Sequence, residues 1–311
     1  MKRVQLPRTT MEASILCLGT AGFGDTVGPD EAERLMDAFG DAGGNLIDAA
    51  GAYAHRATDT PGEGERMIGR WLAKRGDRDK WLLAAKCCRP AEWIAQDLEA
   101  TLERLQTDVI DLYFVHWDNR TQPVEQVIDT LNAQVRRGLI RHFGFANWTA
   151  PRVKEAGIYA VKSGQEGFVG GQTMWSLAEA DPSFVDPALV AMDEELYTLF
   201  RDGGIAAFPY ASSAGGFFSK LADGIPFESL DPDKRKMYGS DFNMRRAERV
   251  EMLARQSGTP VTSIVLGYLL AQPFTVVPVL GCRTVGQLLD NVRAAETKLT
   301  PDQTAYLLLD A

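Results

Sequence analysis

Two apolar runs end on charged residues that such runs seldom carry: WLLAAK closes on Lys86 and NLID closes on Asp48. A third, VIDLYFVH, closes on His116, and Tyr53 follows Asp48 in the next loop. A carboxylate, a phenol, an ammonium and an imidazole brought to one place suit proton transfer to a carbonyl oxygen. A free phenol titrates near ~10, too high for easy exchange at neutrality, and a neighbouring ammonium should lower that value. Asp48 would hold Lys86 charged and in place through a charge-assisted hydrogen bond. His116 would orient the oxygen or relay a proton in the reverse direction. None of the four can carry a hydride, so a redox cofactor must supply it. Taken singly, each could be a structural or surface group. An ionised lysine, however, is rarely buried without a partner.

The elements that must position these residues alternate along the chain. Strands are expected over 14–19, 45–48, 81–86, 109–116, 140–146, 169–172, 205–210 and 275–279. Between them lie helical patterns over 29–40 and 65–74, through Ile94, Leu98, Leu102 and Leu105, and through Val124, Val127, Ile128 and Leu131. Further helices are expected over 151–162, 187–201 and 284–294. Eight strand–helix alternations without a linker imply an α/β fold, a (β/α)8 TIM barrel forming a single domain over 1–311. A short N-terminal extension precedes it, a long loop over 211–243 follows strand seven, and a last helix covers 301–309. The glycine-containing GTAGFG at 19–24 superficially resembles the turn of a doubly wound sheet. No helix starts inside it, which argues against that fold.

The 311 residues carry a formal charge of −9 and are 45% hydrophobic. That balance offers no footprint for nucleic acid or an anionic membrane. No apolar stretch approaches the ~20 residues of a bilayer span, and the start of the chain lacks a signal core, so a cytoplasmic protein is expected. Cys17, Cys87, Cys88 and Cys282 have no C-x-x-C spacing and read as reduced, packed thiols. His55, His116 and His142 are dispersed, which gives a metal-dependent barrel enzyme little support and leads to no expected metal site.

Several segments, in order, resemble the aldo-keto reductase family. They are NLIDAAGAY at 45–53, GEGERMIGRWL at 62–72, LLAAK at 82–86, DVIDLYFVHWD at 108–118 and GLIRHFGFANW at 138–148. The resemblance implies a catalytic tetrad of Asp48, Tyr53, Lys86 and His116, with Tyr53 as acid/base. It also implies that Asn147 and Gln172 bind the nicotinamide amide, with Ala146 where the family has a serine. In GIAAFPYASSAGGFFSK at 204–220, Tyr210 would stack on the nicotinamide, and Ser213, Ala214, Gly216 and Lys220 would clasp the pyrophosphate. In GCRTVGQLLDN, Gly281, Gln287 and Asn291 would surround the adenosine. Arg283 would meet a 2′-phosphate with paired planar donors, which favours NADPH/NADP+ over NADH/NAD+.

Phe23, Trp117, Trp148 and Trp175 follow or end strands at the same mouth, and aromatic faces there would take a cyclic, bulky or sugar-like carbonyl. Ordinary packing is the alternative for these rings. The loop beyond Tyr53, with His55, Arg56 and Asp59, would form another wall or an exposed turn. The reaction expected is reduction of an aldehyde or ketone, or its reverse, by a monomer or weak homo-oligomer acting on a small molecule. The alternative is a nucleotide-binding, redox-sensing regulatory subunit with weak turnover.

Overall fold

The structure, a computed structural model, describes residues 1–53 and 61–308. It opens with an antiparallel hairpin of β1 (Arg3–Gln5) and β2 (Glu12–Ser14). Asn45 ties this hairpin to the start of the barrel, accepting from Ser14 N–H at 2.7 Å and donating to the Glu12 carbonyl. Leu6, Met11 and Ala13 join the inward-facing Leu46, Ala84, Leu112 and Phe208 in one buried cluster. The hairpin therefore plugs the N-terminal end of the barrel. The expected strand over 14–19 is split accordingly: Ser14 ends β2, its hydroxyl bonding the Leu16 carbonyl, and the first barrel strand begins at Cys17.

That strand is β3 (Cys17–Gly19), followed by β4 (Leu46–Asp48), β5 (Leu82–Cys87), β6 (Ile110–Val115), β7 (Ile140–Ala146), β8 (Gly170–Gln172), β9 (Ala206–Ala207) and β10 (Val279–Leu280). Among the described residues they form one eight-stranded parallel sheet in the order β10-β3-β4-β5-β6-β7-β8-β9. Closure comes from Ala207, which pairs with Val276 and exchanges backbone bonds with Thr275 and Val277. The result is a (β/α)8 barrel. The final strand lies later than the expected 275–279, because only Val279 and Leu280 reach β3.

Amphipathic helices cover the outside: α1 (Pro29–Asp41), α2 (Glu63–Arg75), α3 (Ile94–Leu105), α4 (Val124–Arg136), α5 (Ala150–Ser163) and α6 (Glu194–Gly203). In α2, for example, Met67, Ile68, Trp71 and Leu72 make the buried stripe, and Gly76 stops the helix at a φ of 67°. A side-chain-bearing residue pays a steric penalty there. The helix expected over 187–201 starts only at Glu194. Asp193, rather than Pro187, is its N-cap, accepting from Leu196 N–H at 2.7 Å. Residues 187–193 instead form a loop that opens in a turn and bridges to Met174 through Ala191.

The segment 211–243 is largely helical rather than a loop. It contains α7 (Phe217–Ala222) and α8 (Pro232–Tyr238), the latter capped by Asp231 with Pro232 at its first position. Next come α9 (Asp241–Ser257) and the apolar α10 (Val261–Leu270), then α11 (Val285–Val292) after the last strand and α12 (Pro301–Leu308). No described helix is long and apolar enough to cross a membrane.

Side chains alternate along each strand, so residues two apart share a face. Leu46 and Asp48, Ala84 and Lys86, and Phe114 and His116 thus lie in inward-facing columns, apolar below and polar at the C-terminal rim. The register sets them side by side: Gly19 opposite Asp48, Asp48 opposite Ala84, Lys86 opposite Phe114, and Phe114 opposite Gly144. Gly144 is required by this packing. A Cβ there would lie 2.5 Å from the Gly170 carbonyl oxygen and 2.6 Å from the Phe114 ring.

Candidate active site

Lys86 is 2% exposed at the end of β5, and burying its ammonium demands compensation. Both Asp48 carboxylate oxygens lie 2.6 Å from its Nζ, which also donates to the Ala49 carbonyl at 3.2 Å and to Tyr53 Oη at 2.9 Å. Tyr53 Oη donates to Asp48 Oδ2 at 3.1 Å, and Gln172 Nε2 donates to Oδ1 at 2.7 Å. The carboxylate is thus held by lysine, phenol and amide. Thr20 fixes the end of β4 by donating its hydroxyl to the Asp48 carbonyl at 2.9 Å. His116 stands edge-on to Tyr53, the ring centroids 6.1 Å apart.

The electrostatics reverse one expectation. Burial, followed by the charge and hydrogen bond of Asp48, holds the Tyr53 phenol well above its ordinary value of 10, not below it. The ammonium that should favour the phenolate is already matched by Asp48, whose negative charge opposes ionisation of the phenol. Burial and the Lys86 charge push His116 well below 6.5. At neutral pH the resting site therefore presents a protonated phenol and an uncharged imidazole.

A cavity of about 520 Å³ opens over these groups. Asp48, Tyr53, His116, Asn147, Gln172, Tyr210, Gly281 and Arg283 line it, whereas Lys86 lies beneath, reaching it through Tyr53 and Asp48. Asn147 follows β7 with a φ of 60°, a conformation its short polar side chain tolerates through local bonds. Its Nδ2 donates to the His116 carbonyl, and its Oδ1 accepts from Val190 N–H and, at 2.6 Å, from Tyr210 Oη. Sequence reasoning missed part of the wall. Gly19, Ala21 and Gly22 belong to the glycine-containing run discounted as a nucleotide turn, and Leu189 comes from the loop expected to be helical.

The remaining expected nucleotide contacts do not line this cavity. Ser213, Ala214 and Gly216 lie in the turn after Ala211, where Ala211, Ala214, Gly215 and Gly216 all have positive φ, and Lys220 lies in α7 just beyond it. Ser212 ties this turn to β10 through the Val279 carbonyl. Gln287 accepts from Arg283 N–H at 2.9 Å, and Asn291 donates to Cys282 Sγ, so both brace the Gly281–Arg283 segment. This donor set fits the two ends of a nicotinamide dinucleotide. Amides and a tyrosine ring stand beside the acid–base residues, and an exposed guanidinium, with a lysine on the neighbouring turn, suits phosphate. Among the described residues no cluster of His, Cys, Asp and Glu could hold a metal ion.

The aromatic residues are dispersed. Phe23 is fully buried in the core, and Trp148, 1% exposed, packs edge-on against Phe168. Trp175 is buried among Tyr197, Tyr268 and Phe274, facing a separate cleft. Apolar area drew these three inward, and none lines the main cavity. Trp117 stacks on His116 at 3.8 Å and 13° and, with Trp148, borders a smaller pocket of about 250 Å³. His55, Arg56 and Asp59 lie outside the described residues. The buried Glu65 pairs with Arg104, whose side chain lies against Gly51 and Gly62. The acidic start of GEGERMIG was its only sequence signal.

Comparison with known proteins agrees with the fold. Norsolorinic acid reductase A of Aspergillus parasiticus is 28% identical over 97% of this chain and 78% of its own. An uncharacterized oxidoreductase of Bacillus subtilis, YrpG, is 30% identical over 96% and 92%. AAD14 of Saccharomyces cerevisiae, provisionally named an aryl-alcohol dehydrogenase, is 27% identical over 98% and 85%. The thermostable aldo-keto reductase Tm1743, solved with the inhibitor epalrestat, superposes over all of both chains with a TM-score of 0.76 at 26% identity. The family model described as the aldo/keto reductase family matches residues 15–308, and the chain belongs to that family.

Proposed function

We propose that this enzyme reduces an aldehyde or ketone with NADPH, Tyr53 serving as the proton donor. A bound reduced nicotinamide supplies the hydride to the carbonyl carbon. Asn147 and Gln172 orient its amide, Tyr210 packs on its ring, and Arg283 favours a 2′-phosphate at the far end of the groove. His116 donates a hydrogen bond that fixes the carbonyl oxygen. As negative charge develops on that oxygen, Tyr53 transfers its proton and Lys86 stabilises the tyrosinate left behind. Water returns the proton to Tyr53 in the next cycle.

The observation that carries this reading is the continuous chain Asp48–Lys86–Tyr53 at the cavity wall. Tyr53 keeps its proton in the resting state, as an acid for reduction must. Trp117 beside His116 and the name of AAD14 favour a cyclic or aromatic carbonyl as substrate. A panel of aromatic, cyclic and sugar aldehydes and ketones, assayed with NADPH and NADH, tests the proposal. Expected is alcohol formed in step with NADPH oxidised, fastest for ring-bearing carbonyls. Tight NADPH binding with no turnover anywhere in the panel would contradict it and favour a nucleotide-sensing role.

A further inference from the structure

His116 can offer a substrate oxygen a hydrogen only if the ring nitrogen facing the cavity carries one. A neutral imidazole has a single N–H, and its position is set by the partner of the other nitrogen. That partner is a residue outside the tetrad. Cys88 Sγ lies 3.6 Å from His116 Nδ1, a separation suited to a hydrogen bond involving sulfur. We infer that Cys88 is a positioning residue that donates its S–H to His116 Nδ1 and so keeps the ring hydrogen on Nε2. This assignment rests on the proposed role of His116 in orienting the carbonyl.

Two directions of the bond are conceivable, and the surroundings of the sulfur decide between them. Burial, opposed by a hydrogen bond from the Ala52 backbone, pushes the Cys88 thiol up to about 11, so it holds its hydrogen at neutral pH. A thiol sulfur is a weak acceptor, so donation to it from Nδ1 would gain little. The S–H, by contrast, needs an acceptor. The Lys86 carbonyl is the other candidate, at 3.9 Å, and Nδ1 is nearer. Lys86 and burial both disfavour protonation of the ring, which leaves the Nδ1 lone pair available.

The ring has little freedom to escape this contact. Trp117 covers one face at 3.8 Å, and Tyr53 stands against it edge-on. Its backbone N–H bonds the Cys87 carbonyl at 3.1 Å, and its own carbonyl accepts from Asn147 Nδ2. Cys88 is itself anchored, its N–H reaching Asp97 Oδ2 at 3.2 Å. Donor and acceptor thus directly follow the adjacent strands β5 and β6, which fix their relation. Cys88 lines the smaller pocket beside Trp117 rather than the main cavity.

The test compares wild type, Cys88→Ala and Cys88→Ser by 15N NMR of the imidazoles and by turnover of benzaldehyde with NADPH. With three histidines in the chain, the His116 signals are identified by their loss in His116→Gln. Expected in the wild type is an unprotonated Nδ1 and a protonated Nε2. Cys88→Ala should alter that 15N signature and lower kcat about three- to tenfold, the range for one modest hydrogen bond, with the NADPH dissociation constant unchanged. Cys88→Ser, whose hydroxyl can also donate, should restore both signature and rate. A hydrogen on Nδ1 in the wild type, an unchanged rate and spectrum in Cys88→Ala, or failure of serine to restore them would each overturn the inference. Tyr53→Phe, run in parallel, separates the two claims. Full activity there would remove the assigned acid, whereas the NMR signature reports on Cys88 whatever the turnover.

Discussion

The two ends of the main cavity are built on opposite principles. At the β4–β6 side, Asp48, Tyr53, Lys86 and His116 satisfy one another, with Lys86 and Asp48 almost wholly buried. Toward β10, Arg283 is exposed and Lys220 half-buried, and neither forms an ion pair among the described residues. Groups that move a proton must be held in place before the substrate arrives, because reorganisation would add to the barrier. Groups that bind a ligand phosphate serve best when no protein carboxylate already occupies them. On the proposed reading, the self-satisfied end handles the proton and the end with unpaired cations handles the phosphate.

The largest break in that contrast should come from removing the buried cation. Lys86→Met leaves Asp48 charged and buried, which should cost about 3–5 kcal/mol of stability in urea unfolding. Reduction should also fall by about 100-fold or more, because the phenol loses the charge that stabilises its conjugate base. Trp175→Ala should destabilise by a similar ~3–5 kcal/mol, as a core truncation does, while leaving KM for the best carbonyl within twofold (~0.4 kcal/mol). A large KM change with little loss of stability would return Trp175 to the substrate pocket.

At the other end, Arg283→Ala should leave stability within ~0.5 kcal/mol and weaken NADPH binding about tenfold, with NADH nearly unaffected. Fluorescence titration with both nucleotides reads this directly. Equal losses for the two would mean that Arg283 does not meet the 2′-phosphate. The smallest effect concerns pH. Because burial and Lys86 hold His116 neutral in the folded protein, the unfolded chain takes up a proton there that the folded chain refuses. Stability should therefore decline as pH falls through 6.5, and His116→Gln should flatten that slope in thermal melts at a series of pH values.

The same division explains what could be read from the residues alone. Rigid parts announce themselves: a lysine ending WLLAAK can be accommodated only with a partner, and the strand-end rule supplies Asp48, Tyr53 and His116 around it. Pairings that depend on three-dimensional packing leave no such mark. Phe23, Trp148 and Trp175 sit near strand ends in sequence, but whether an aromatic ring turns toward the mouth or the core depends on volume available among distant helices. Cys88 reads in sequence as one of four reduced, packed thiols, and its contact with His116 exists only because β5 and β6 are neighbours. The direction of the Tyr53 shift was likewise hidden. Lys86 was visible, but its neutralisation by Asp48 and the burial of the phenol are properties of the assembled site. The helix expected over 187–201 begins only after Asp193, the residue whose side chain caps it, and the extent of a capped start is fixed by the loop folded before it.

Single-turnover hydride transfer in Tyr53→Phe, measured beside NADPH affinity, tests the central claim most directly. The phenylalanine ring preserves the packing and removes only the hydroxyl. NADPH should bind the variant and the wild type within about twofold, while reduction of an aromatic aldehyde slows by about 100- to 10,000-fold. Hydride transfer at the wild-type rate would show that the proton comes from elsewhere, and the rigid end of the cavity would lose its assigned purpose.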